Sequence, residues 1–174
     1  MSKITPRNEE IKLDPKRYLV SETDEAGNIT FANSYFTEVS GYSNEELIGQ
    51  PHNIVRHPDM PKVVFKLLWV MISTGHNINA VVKNLAKDGR YYWIFTSFEI
   101  RKDTDTDEVI GYHASRKAVS KHIIEIISGL YEKLLEIEKD EGVDASQTYL
   151  NKFLKEKGED INIANLMENI HKFY

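Results

Sequence analysis

Cysteine is absent from all 174 residues, so disulfides, thiolate zinc sites, cysteine nucleophiles and flavin photochemistry ending in a cysteinyl adduct are excluded. Long hydrophobic runs are missing as well. The most apolar window, 63–72, is interrupted by Lys66 and falls far short of the ~20 residues needed to span a bilayer. The first residues, MSKITPRNEE, lack the apolar core of a signal peptide. The expectation is a cytoplasmic protein without direct membrane insertion. Neither charge sign dominates: 22 Lys and Arg stand against 27 Asp and Glu, interleaved along the chain, for a net charge of -5. Without a basic stripe, nucleic acid is not an expected partner. There is no GxGxxG fingerprint, no nucleophile with an adjacent base motif and no paired metal-ligand motif, so an enzyme is not expected.

Proline is scarce, and its placement is informative. Three of the five prolines, Pro51, Pro58 and Pro61, fall inside the thirteen-residue run GQPHNIVRHPDMP at 49–61. Each fixes a backbone torsion and withholds an amide donor, so this stretch runs as short turns between helix-like segments. It also holds His52, Arg56, His57 and Asp59: groups that titrate near neutrality, a fixed-charge fork and a carboxylate acceptor. A solvated loop in which Arg56 and Asp59 pair with each other would explain the composition. A rigid loop that presents polar groups to a ligand would explain it too.

With 41% hydrophobic and 28% charged residues, the chain can bury the core of one ordinary domain plus an appendage. Runs at 18–24 and 28–32, separated by Glu25-Ala26-Gly27, read as a hairpin. Asn33 caps a helical turn that Gly41 ends, and Ser43 with Glu46 forms a capping-box signature for a second short helix. After the proline-rich loop, Pro61 opens a helix carrying Val64, Phe65, Leu68, Trp69 and Ile72. Strands follow at 77–86, 90–100 and 109–115, with a polar turn at 103–107. The order implies five antiparallel strands covered by helices on one face, an α+β module over 18–118, preceded by an extension at 1–17. From 119 the period becomes helical. Val119, Ile123, Ile126, Leu130, Leu134 and Ile137 form a coiled-coil-like stripe, with Ile124, Ile127, Tyr131 and Leu135 as a second apolar line. Such a helix must pack on the domain, on a copy of itself or on a partner, which makes a homodimer through 119–137 an expectation. Two shorter helices are expected at 145–157 and 163–174.

The loop at 49–61, preceded by NSYFTEVSGYSNEELI and followed by Phe65, Trp69, VKN at 82–84 and DGRYYW at 88–93, resembles the flavin-binding PAS domains of the bacterial aerotaxis-receptor (Aer) type. The resemblance covers about 18–118, and a generic PAS domain lacks the RHPDMP element. It implies the PAS fold, noncovalent FAD, and the reporting of redox or energy state to the chemotaxis machinery. It also implies cofactor-binding positions at Asn33, Arg56, His57, Asp59, Phe65, Trp69 and Asn84. A site for FAD needs a fixed cation for pyrophosphate, an aromatic for adenine and amide donors at the flavin's polar edge. Arg56, Trp69 and Asn84 could serve in that order, with His57 and Asp59 shaping the loop. Core packing would equally account for Phe65 and Trp69, and a solvent-facing strand position for Asn84.

Three departures stand out. Asn77-Ile78-Asn79-Ala80 lacks the tryptophan common after the long helix, Lys102 to Glu108 is an extended polar turn, and the chain closes in helices rather than a membrane anchor. It is therefore similar to the stand-alone, split energy-taxis (CetB-like) PAS proteins, which implies a separate membrane-bound chemoreceptor-like transducer as partner. A haem-binding gas sensor using His52, His57, His76 or His113, or a ligand-free PAS interaction module, would be the alternatives.

Overall fold

The computed structural model describes residues 4–158 and 162–173. The strands are β1 (Leu19–Thr23), β2 (Ile29–Ala32), β3 (Ile78–Leu85), β4 (Tyr91–Lys102) and β5 (Val109–Ala118). The helices are α1 (Ser34–Ser40), α2 (Asn44–Leu47), α3 (Lys62–Ser73), α4 (Lys121–Asp140), α5 (Val143–Lys157) and α6 (Ile163–Phe173), with a 3-10 turn at His52–Val55. The sheet order β2-β1-β5-β4-β3 places β1 and β5 side by side in the interior, with a hairpin on one flank and a meander on the other. This is the α+β arrangement that the strand pattern implies. Tyr174, expected to end the last helix, lies outside the described residues.

Two compact units are present, one running through His57 and resuming at Val82–Ala118, the other comprising Pro58–Val81 and the chain from Val119.

In the first unit, local sequence rules account for the turns. Asn33 accepts from the Phe36 amide at 3.0 Å, and Gly41 takes the left-handed conformation (φ 73°) that ends α1 while its N–H donates to Thr37 O. The Ser43–Glu46 capping box is complete. Two strands outrun their expected ends: β5 reaches Ala118 because its ladder with β4 continues to Ile94↔Ala118 despite the charges at Arg116 and Lys117, and β4 reaches Lys102 across an irregularity after Arg101, where Lys102 pairs with Val109. The N-terminal extension is not loose. Arg7 N–H donates to Gly89 O (2.7 Å), Ile11 N–H to Tyr91 O (2.7 Å) and Tyr91 N–H to Glu9 O (3.0 Å), a short parallel pairing that includes Glu10↔Tyr91. The core of this unit includes Leu19, Ile29, Phe36, Leu47, Tyr92 and Ile94.

In the second unit, α4 buries Ile127, Leu130, Tyr131 and Leu134. These take two residues from each apolar line of the sequence pattern, while Ile123, Ile126 and Ile137 stay half-buried. Tyr131 Oη donates to Val81 O at 2.6 Å, and Ser146 Oγ on α5 donates to Leu134 O at 3.3 Å. At the start of α3, Pro61 offers no capping side chain, and α4 supplies one instead: the Glu138 carboxylate accepts from Lys62 N–H (3.0 Å) and Val63 N–H (2.8 Å). Two otherwise unpaired amides and the positive end of the helix dipole thus meet an anion. Glu138→Ala should lower stability by about 1 kcal/mol, the usual worth of a cap. Thermal melting would register this as a fall of ~3 °C, and an unchanged midpoint would show that the cap is not formed in solution.

Candidate functional site

Residues 49–57, the part of the proline-punctuated loop that belongs to the first unit, are fastened on two sides. On one side Ile29 N–H donates to Gln50 O (2.8 Å), Gly49 N–H to Ile29 O (2.8 Å) and His52 N–H to Gly27 O (3.0 Å), which ties the loop to β2 and its turn. Pro51 and the 3-10 turn then reverse the chain, with Arg56 N–H closing on Asn53 O at 2.9 Å. On the other side Arg56 forms an isolated bridge with Asn84 of β3, and the buried His57 ring meets Tyr91 edge-on at 6.1 Å. Backbone pairing thus fastens this loop to β2 and its turn on one side and to β3 on the other.

Asn33, Arg56, His57 and Asn84 all belong to this unit, and the structure brings Arg56, His57 and Asn84 to one end of the sheet through the Arg56↔Asn84 bridge and the His57–Tyr91 contact. Asn84 is buried. Asn33 is committed to the chain itself: Oδ1 also accepts from Val20 N–H (3.0 Å), and Nδ2 donates to Tyr18 O (2.9 Å), so its amide splices β1 to α1. The other three positions lie in the second unit. Asp59 is exposed, Phe65 is half-buried on α3, and Trp69 stands one turn further along, 48% exposed.

Sequence reasoning missed the densest polar group of the first unit. Arg116 on β5 is 2% exposed. Its Nη1 donates to Ser21 Oγ (2.9 Å) and Ala114 O (3.2 Å), and Nη2 lies 2.8 Å from His52 Nε2. Ser21 Oγ is itself 2.9 Å from the same imidazole nitrogen. Phe36 floors the cluster, with the guanidinium carbon 5.4 Å from its ring centroid and the His52 ring edge-on at 5.8 Å. A guanidinium can only donate, so His52 Nε2 must accept and the imidazole is neutral with its proton on Nδ1. Burial first and the Arg116 charge second hold His52 down to about 3. Burial also lowers Arg116 itself to about 10. Among the described residues, no carboxylate lies within ion-pair distance of this guanidinium.

Beside it stand two more buried groups, Tyr92 and Thr96, at 0% and 1% exposure. Thr96 sits directly opposite Arg116 in the β4–β5 ladder, and Tyr92 lies four residues along the same strand and thus on the same face. Neither Tyr92 Oη nor Thr96 Oγ1 finds a hydrogen-bond partner among the described residues. Burial pushes the Tyr92 phenol up to about 12, with Arg116 and the nearby Asn84 amide pulling the other way. Buried polar groups are nearly always paired. A fixed cation, an amide and two idle hydroxyls on one apolar face are suited to a bound group with several acceptor atoms along one edge, and the pyrimidine edge of a flavin has that pattern. The residues present therefore fit the cofactor that the sequence resemblance implies. The signal that could have found Arg116 is the alternation Tyr112, Ala114, Arg116, which carries the inward face of β5 one step into the basic run. The remaining histidines offered as haem ligands are engaged elsewhere: His113 Nδ1 lies 3.4 Å from Glu22 Oε1, and His76 Nδ1 lies 3.1 Å from Thr74 Oγ1.

A separate cleft of ≈ 260 Å³ is lined by Glu38, Val39, Gly41, Ala86, Lys87, Asp88 and Arg90, and it shares no residue with this cluster. Among the described residues, no helix is long and apolar enough to cross a membrane.

Comparison with known proteins agrees with the geometry. Residues 29–113 match the family model described as PAS fold. The Aerotaxis receptor of Escherichia coli (strain K12) is 39% identical over 118 residues, which cover 67% of this chain and 22% of the receptor. Biofilm dispersion protein BdlA of Pseudomonas aeruginosa is 26% identical over 83 residues, 47% of this chain and 20% of that protein. The chain thus spans about a fifth of the length of these relatives. Among solved structures, a Light-Oxygen-Voltage domain studied with a flavin analogue superposes with a TM-score of 0.56 at 19% identity, covering 71% of this chain and 87% of that one. The light-state Aureochrome1 LOV structure gives 0.54 at 18% identity, covering 72% and 92%. At these identities the structures speak for the fold.

Proposed function

Because residues 29–113 are a PAS domain akin to that of the aerotaxis receptor, we propose that this protein is a cytoplasmic FAD-binding redox sensor that signals to a separate membrane-bound chemoreceptor-like transducer. The observation that carries the ligand half of this reading is the buried Arg116–His52–Ser21 cluster with the idle hydroxyls of Tyr92 and Thr96. A domain that filled its own interior would bury apolar groups there, because unpaired hydroxyls and an unneutralised guanidinium weaken it.

When bound, FAD supplies a two-electron redox centre whose charge and proton count depend on the reducing state of the cell. The chain does the rest. Arg56 serves as the cation for the pyrophosphate and Asn84 as the amide toward the ring. His57 and Asn33 keep the loop and α1 in place, while Asp59, Phe65 and Trp69 enter the reading through the sequence resemblance. No bond in a substrate is made or broken, so the protein acts as a sensor and not as an enzyme. The region 119–174 is the output: a partner that binds two dispositions of α4 with different affinity converts the cofactor's state into a signal. Dimerisation through 119–137 would use the half-buried residues that α4 leaves.

An absorption spectrum of the purified full-length protein before and after dithionite tests this directly. Flavin bands in the blue that bleach on reduction are expected, and Arg56→Ala and Trp69→Ala should each lose most of the bound flavin. A colourless protein would leave a ligand-free interaction module, and an intense Soret band would make the ligand haem. Full flavin occupancy in both variants would overturn the site assignment even with the fold intact.

A further inference from the structure

We propose that Arg116 is a ligand-binding residue, held by His52 and Ser21 to oppose a negative charge on the bound cofactor, so that the site binds the reduced, anionic flavin more tightly than the oxidised one. This inference rests on the reading that the PAS domain holds flavin.

Four observations carry it. Arg116 is fully enclosed, yet its protein partners are a serine hydroxyl, a backbone carbonyl and a neutral imidazole. A buried charge without a counter-charge is costly and is retained where something else offsets it. A guanidinium has N–H groups to spare beyond these three contacts. Thr96, its direct neighbour across the ladder, and Tyr92 on the same face are both without partners among the described residues, so the unmet hydrogen-bonding capacity is concentrated around one charge. Finally, His52 Nε2 faces the guanidinium as an acceptor, so the imidazole orients Arg116 without adding a second positive charge. His52 is on this account a positioning residue.

The chemistry balances. Uptake of two electrons and one proton, with dithionite as the electron source in the test below, leaves the isoalloxazine ring with one negative charge. Tyr92, Thr96, Ser21 and His52 are neutral, and Arg116 is the one charge in the cluster available to meet it.

The test uses full-length protein carrying Arg116→Met or Arg116→Lys. The variants are compared with the original protein in thermal melting after flavin has been stripped, and in affinity and midpoint potential after FAD has been restored. Arg116→Met should melt at or above the original protein when flavin is absent, because it removes an unneutralised buried charge. With FAD it should bind the reduced form at least about tenfold more weakly and shift the midpoint potential to more negative values, with Arg116→Lys restoring most of the loss. A Met variant that fails to fold or melts well below the original when stripped would show that the guanidinium holds the fold, and would overturn the proposal. So would unchanged affinity and potential. If the original protein takes up no flavin at all, the cofactor reading falls, and the melting comparison still decides whether Arg116 is kept for a ligand.

Discussion

Gly111→Ala is expected to be among the most damaging single substitutions in this chain, costing about 3–5 kcal/mol from steric overlap and backbone strain together. Gly111 adopts φ 145°, where residues with a side chain are strained. A Cβ there would stand 2.0 Å from Thr23 O and 3.1 Å from the Thr23 carbonyl carbon. Both are backbone atoms, so no rotamer can swing aside. The clash falls where β5 pairs with β1 through Thr23↔Tyr112, the central seam of the sheet. For a chain of this size the loss corresponds to a fall of ~10 °C in melting midpoint. Denaturant unfolding of the variant against Gly89→Ala would check the reasoning. At Gly89 an added Cβ would approach Thr5 O at 2.5 Å, but that contact lies on the N-terminal extension rather than the central seam. Equal losses at the two glycines would show that the seam is not the critical element.

The second large effect is a dependence on acid that traces to one imidazole. An unperturbed histidine titrates near 6.5, and in the fold His52 is held down to about 3 by burial and by Arg116. Between those values the unfolded chain holds a proton that the folded chain does not, so acid favours unfolding. The contribution is fully present above about pH 6.5 and is lost as the pH falls toward 3. By pH 4 the loss should be on the order of 3 kcal/mol. Ser21, Arg116 and Phe36 line this ring, and none of them titrates in that window. In His52→Gln the amide oxygen can still accept from Arg116, and the group no longer titrates. The difference in stability between variant and original protein should therefore shrink in the variant's favour as the pH drops from 7 to 4. A constant difference across that range would mean that the imidazole is not held neutral by its surroundings.

Local rules made much of the first unit readable. Asn33, Gly41, Ser43 and Glu46 act through contacts within a few residues of themselves, and the structure forms those caps as the sequence implies. The strand order followed from period and turn chemistry, which are also local. What escaped depends on distant partners. Arg116 belongs to the run Ser115-Arg116-Lys117, which reads like a solvated strand end, yet Lys117 is exposed while Arg116 is enclosed. Only the ladder with β1 and the approach of His52 from 64 positions away reveal which of the two basic residues turns inward. The cap that Glu138 provides to α3 is hidden for the same reason, since a carboxylate 75 residues from Val63 leaves no trace in nearby sequence. Asn33 is a mixed case. Its place before a helix was legible, whereas its further bonds to Val20 and Tyr18 show an amide already occupied by backbone.

The parallel pairing of residues 7–11 with 89–91 has a practical corollary for anyone trimming this protein. A fragment cut to begin at Leu19 would keep every strand of the sheet, but the amide of Tyr91 and the carbonyl of Gly89 would face solvent or a neighbouring molecule. Tyr91 also supplies the ring against which His57 rests. Shortened versions should therefore hold the RHPDMP segment less firmly than the whole chain, and any loss of the proposed flavin in such a fragment would reflect the missing N-terminal pairing before it reflected a flaw in the Arg116 cluster.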